Sequence, residues 1–300
     1  MRRFIKHIIL VGLPIILAVI TLEIVAEAIP NSYTYKREYM EQHGGEIKTL
    51  ILGASNAYDG INPSVLLHAF NMANSSQTLE DDYRLLERYI ADMDSLQTVI
   101  VGLGCHSLGA ETEDNRRTYY TIYMDLYPRW PLNKYSFEVL NLELLTKKII
   151  KYAISRDVTR CDSLGQRVGH TAAAVKERRE FWNKDIATLV ANDRMNVREE
   201  NVESSVERNI EFLEAIIRLC EAHDVQPVVV SMPVMKVYKA ALPSEQVAFH
   251  DSIMHTLPLS TIYIDASDWS IPSEGWYNAT HLTREASVDF TNQLMDTIHL

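Results

Sequence analysis

Four short apolar runs constrain what this chain can fold into. "IKTLILG" (Ile47–Gly53), "TVIVGLG" (Thr98–Gly104), "PVVVSM" (Pro227–Met232) and "TIYID" (Thr261–Asp265) are rich in branched residues. Runs of this length without polar alternation are expected of strands covered on both faces, as in a parallel sheet. Segments of helical length lie between and after them. "TLEDDYRLLERYIADM" (Thr78–Met93) carries acids in its first turn and apolar residues at Leu79, Tyr83, Leu86 and Ile90, one face of a helix. "NPSVLLHAF" (Asn62–Phe70) opens with an Asn cap and a Pro at the first helical position, and reads as a helix. "SVERNIEFLEAIIRLCEAH" (Ser205–His223), a segment near 244–256 and "TREASVDFTNQLMDTI" (Thr283–Ile298) supply further helices. Strands alternating with such crossovers predict an α/β fold: a three-layer sandwich around a mostly parallel central sheet.

Residues 110–200 break the rhythm. They hold many tyrosines, Trp130, Trp182 and basic segments such as "KERRE", and read as a helical insertion. The N-terminus is different again. "MRRFIKH" is basic, and the chain is then continuously apolar from Ile8 to Leu22, reaching spanning length if "EIVAEAI" is included. Three readings stay open: an uncleaved signal anchor, a signal peptide cut at the small-x-small "AEA" of Ala26–Ala28, or a buried core helix, which would have to explain the missing polar face. In the first two readings the basic end stays in the cytoplasm and the part after residue 30 is exported, to the periplasm or cell surface. The expected organisation is a membrane helix over 1–30 and an α/β domain over 31–300.

The net charge of −11, with no basic stripe beyond the N-terminus, argues against a nucleic-acid partner. Cys105, Cys161 and Cys220 fit neither a disulfide framework nor a metal cluster. No Gly-rich phosphate loop follows the first strand, which disfavours nucleotide binding. No metal or organic cofactor is implied.

Two segments carry the functional signal. In "TLILGASNAYDGINP" (Thr49–Pro63) a Ser follows the strand-ending Gly by two positions. A hydroxyl there sits at the carboxyl edge of the sheet, where α/β proteins bind ligands. Taken alone, Gly-x-Ser turns are common, and a structural turn is the simpler account. A nucleophilic Ser needs a base, and the sequence offers ten histidines. His7 lies in the export signal, His68 and His223 at probable helix ends, and His250 and His255 are five apart and off a common helical face. His281, in "WYNATHLTREAS", stands in a loop directly before the final helix, again at that edge.

Together the two segments resemble the SGNH/GDSL hydrolases, in particular membrane-anchored, exported bacterial SGNH-like proteins. "GASNA" matches the nucleophile turn at Ser55, and "NATH" matches an Asp-x-x-His motif closing at His281. "FNMANSSQTL" resembles the second block, with Ser76 where an oxyanion-holding Gly would lie. The third block should fall in "GLGCHSLG", which lacks its Asn and offers His106 or Ser107. Asn278 stands where the family has Asp. In Ser-His-Asp enzymes that Asp-to-Asn change lowers turnover by about four orders of magnitude. Three outcomes follow: His281 works with Asn278 or a backbone carbonyl, another acid such as Asp265 or Asp268 reaches it, or the site is weak or dead. The resemblance implies Ser55 as nucleophile, His281 as base oriented by Asn278, and the N–H groups of Ser55 and Ser76 as oxyanion donors. The implied substrates are acyl esters of envelope or surface glycans, or small esters. The alternative is an inactive binding or assembly component of an envelope polysaccharide system.

Overall fold

The computed structural model describes residues 2–104, 106–111, 114–156, 158–176 and 202–298. Its first elements are helices α1 (Arg2–Glu27) and α2 (Ser32–His43), strand β1 (Thr49–Gly53), helix α3 (Ser55–Gly60), strand β2 (Ala69–Asn71), helix α4 (Leu79–Tyr89) and strand β3 (Thr98–Leu103). Next come α5 (Asp114–Ile122), α6 (Leu142–Ser155), α7 (Ala172–Lys176), α8 (Val202–Ala222), β4 (Gln226–Ser231), α9 (Lys236–Lys239), α10 (Ser244–Met254) and β5 (Ile262–Asp265). The last are β6 (Trp276–Asn278), β7 (His281–Leu282) and α11 (Arg284–Ile298). Packing divides them into two compact units, Met1–Glu38 with Glu113–Thr159, and Tyr39–Thr112 with Arg160–Leu300.

The second unit is the α/β body. Its five strands run parallel in the order β2-β1-β3-β4-β5. Leu50, Ile51 and Leu52 of β1, Val99 to Val101 of β3 and Val228 to Val230 of β4 are all but fully buried. That burial on both faces is why these runs show no alternation. The order reverses direction between β1 and β3, and at such a switch point the crevice beyond the strand ends is open to ligands.

One expected element is corrected. "NPSVLLHAF" is not a helix: Asn62 caps only a single 3₁₀ turn, Pro63–Val65, and β2 follows at Ala69–Asn71. His68, at φ 45°, breaks the path, and Phe70 is fully buried on the sheet and stacked on Tyr39. Sheet burial of Phe70 outweighs the local start signal. Within 110–200, Glu113–Thr159 belongs to the first unit, and Arg160–Lys176 to the second. Trp182 and most of "KERRE" lie outside the described residues.

In the first unit, α1 contains an apolar stretch, Leu10–Glu27, long enough to cross a membrane. Its last turns are tied into this unit. The backbone N–H groups of Glu138 and Val139 donate to the Glu23 carboxylate at 2.8 and 2.9 Å. Lys148 Nζ donates to Ala26 O at 2.7 Å and pairs with Glu138 at 3.0 Å.

Candidate active site

The β1–α3 connection is built around Gly53. Its φ of +126° is glycine territory, and a Cβ there would stand 2.4 Å from the carbonyl oxygen of Gly102 on β3. Its N–H donates to the buried Asp82 carboxylate at 2.9 Å, and Gln77 donates to the same oxygen at 2.6 Å. Burial, opposed by these two donors, pushes the Asp82 carboxyl up to about 7.

Ser55 is the first residue of the six-residue α3, which side chains hold from several directions. Asn71 Nδ2 donates to the carbonyls of Ala57 and Ile61 at 3.1 and 3.0 Å, and Gln166 to that of Asp59 at 3.2 Å. Asn56 Nδ2 reaches Thr280 O at 2.7 Å and so ties α3 to the loop before His281. That loop turns a two-stranded hairpin, β6–β7, so His281 is on a short strand rather than in open loop.

These ties bring the two distant segments together. His281 Nε2 lies 2.7 Å from Ser55 Oγ, and His281 Nδ1 lies 2.7 Å from Asn278 Oδ1. The backbone N–H of Thr280 also donates to Asn278 Oδ1, at 3.0 Å. An atom that accepts from Thr280 must be the amide oxygen, so it accepts from His281 Nδ1–H as well. Nε2 then carries the lone pair and accepts the Ser55 hydroxyl proton, which is the tautomer a general base needs. The imidazole side chain is 7% exposed, sheltered from bulk water.

The carboxylate beside this imidazole is Asp59. Its Oδ2 lies 3.8 Å from His281 Nε2 with the side chain 1% exposed. Its Oδ1 lies 3.2 Å from both Arg167 Nε and His170 Nδ1. None of these contacts is aligned as a hydrogen bond, and both carboxylate oxygens are buried without one. Arg167 also lies over the Tyr58 ring and bonds Ser75, while His170 stacks on Tyr277 with centroids 3.6 Å apart. Asp265 and Asp268 are engaged elsewhere, with Ser267 and Lys239.

The remaining candidates are placed as follows. Ser76 has φ +56°, a left-handed conformation that glycine adopts freely. Two residues before it, the Asn74 N–H donates to Gly53 O at 3.2 Å, holding this segment against the end of β1. Ser107 Oγ accepts from the Gly104 N–H at 2.8 Å, so its hydroxyl serves the turn after β3. His106 and Asn56 flank Gly104: a Cβ on that glycine would meet Asn56 Oδ1 at 3.0 Å and His106 Cε1 at 2.9 Å. A separate cleft of about 40 Å³, lined by Met232, Val234, Lys239 and His250 among others, contains neither Ser55 nor His281.

Sequence reasoning missed Asp59, Arg167 and His170. Asp59 had a usable signal, since Ser55-x-x-x-Asp59 puts both residues on one face of a helix. Arg167 and His170 had none: the tight turn that carries Arg167 is closed locally, Asp162 N to Gln166 O at 2.8 Å, but it is placed against α3 by long-range bonds such as Arg167 N to Tyr58 O at 3.2 Å. Comparison with family models finds no match, and comparison with curated proteins finds none.

Proposed function

We propose that this chain is an SGNH-like serine esterase or O-acyltransferase, anchored by α1, exported, and acting on acyl esters of cell-envelope or surface glycans. The observation that carries the reading is the chain of contacts from Ser55 Oγ through His281 to Asn278 Oδ1, each step 2.7 Å. Glycan substrates and the exported location come from the family resemblance and the basic N-terminus.

Ser55 Oγ attacks the ester carbonyl as its proton passes to His281 Nε2. The N–H groups of Ser55 and Ser76 hold the oxyanion. Collapse of the tetrahedral intermediate breaks the ester C–O bond, and His281 Nε2–H protonates the departing alkoxide. Water or an acceptor hydroxyl then attacks the acyl-enzyme, with His281 again as base.

Asn278 orients the imidazole but brings no charge. Asp59, 3.8 Å from Nε2, supplies a negative charge on the other side of the ring. At that separation a unit pair is worth about 4 kcal/mol at an effective dielectric of about 20, before the opposing charge of Arg167 is counted. The neutral Asn278 also favours a second reading, in which the pocket binds acylated glycan without turning it over.

A fluorophosphonate separates the two. Labelling of Ser55 that is lost in His281→Ala supports the enzyme. A folded, unlabelled protein that still binds glycan supports the binding module.

A further inference from the structure

The unit formed by Met1–Glu38 and Glu113–Thr159 exposes apolar side chains that its own core does not use. Helix α6 buries Leu145 and Lys148, and turns Leu142, Ile150 and Ile154 outward, the last 81% exposed. At about 3.6 residues per turn these three fall within an arc of about 120°. Two polar residues of the first turns fall inside the arc, Glu143, which pairs with Lys147, and Thr146, whose hydroxyl donates to the Leu142 carbonyl. Before α6, Trp130 is 74% exposed, and Leu132 and Leu140 are exposed too. An apolar stripe rimmed by lysine stems, with an exposed Trp nearby, is the composition of a segment lying in a lipid headgroup region.

Continuity with α1 identifies the occupant. Leu140 ends the 3₁₀ turn Glu138–Leu140, whose N–H groups hold Glu23 of α1. Lys148, on the inner side of α6, holds the carbonyl of Ala26. The exposed stripe is thus fastened to the last turns of the membrane-length stretch, Leu10–Glu27. If that stretch spans, its end lies at a bilayer interface, and the outer face of α6 has lipid within reach.

We infer that residues 130–154 form a juxtamembrane collar, with α6 and the Trp130–Leu132 segment seated in the lipid interface beside α1. The inference rests on the reading of α1 as an anchor. It also assigns the Glu23–Ala26 region to the folded protein, since cleavage after Ala28 would remove both partners of the collar.

The test uses the full chain reconstituted in vesicles whose acyl chains are brominated near the headgroups, with Trp130→Phe as the subtraction control. The expected result is strong quenching of the component that Trp130→Phe removes, and its loss in Ile150→Glu/Ile154→Glu. Unquenched Trp130 in protein that still floats with the vesicles overturns the collar while leaving the anchor. Failure of the full chain to float overturns both.

Discussion

The two units each bury a carboxylate against a cation, and they do so differently. In the first, Glu138 and Lys148 are 2% and 5% exposed, 3.0 Å apart, with Lys148 also donating to Ala26 O and Tyr123. Burial pulls the Lys148 amine down while Glu138 opposes it, and the pair is closed by aligned hydrogen bonds. In the second, Asp59 is as deeply buried but has Arg167, His170 and His281 around it without one aligned bond. A satisfied buried pair fastens helices together. An under-satisfied carboxylate beside a Ser–His pair retains capacity to respond to charge that forms during a reaction.

The largest effect expected is on Ser55. Ser55→Ala lowers ester turnover by about four orders of magnitude or more, with an unchanged circular dichroism spectrum. Retained turnover would move the chemistry away from α3.

Asp82 tests whether a hydrogen-bonded buried carboxylate in the second unit behaves as a fastening. Its carboxyl, about 7 when folded against 3.8 unfolded, favours the protonated form in the native state. Stability is therefore full below pH about 4 and falls as pH rises to about 7, by up to about 4 kcal/mol for this group. Asp82→Asn should flatten that part of the denaturant-derived stability profile.

The direct comparison is Glu138→Gln against Asp59→Asn. The first strands a buried ammonium and costs about 3 kcal/mol, with any ester turnover of the folded protein unchanged. The second lowers kcat about a hundredfold, with a smaller loss of stability. Reversal of the two outcomes would make Asp59 a fastening too.

Asn278→Asp gives the smallest change, a rise in kcat of about tenfold, because Asp59 already supplies negative charge near the ring. A rise of about four orders, the full value of the Asp in Ser-His-Asp enzymes, would show that Asp59 contributes nothing.

Much of this was legible beforehand. The apolar runs announced β1, β3 and β4, whose central residues are buried on both faces, and also β5, a half-buried edge strand that the same branched composition marked. Ser55 and His281 were found from their positions at strand and helix boundaries. β2 was hidden, since three residues ending at Asn71 carry too little pattern to outweigh the Asn-Pro start signal before them.

What the amino-acid order determined by itself was local: which segments are apolar, where turns fall, and that the first helix is long enough for a membrane. Only the tertiary structure decided that a residue from α3, two from the 160–170 segment and one from the β6–β7 hairpin share a single cluster, with Asp59 and His281 buried and Arg167 and His170 half-buried around them. The reason is physical. The segments that carry these side chains are tied together by bonds between residues far apart in the chain, such as Asn56 to the Thr280 carbonyl and Gln166 to the Asp59 carbonyl, and no local preference encodes such partners.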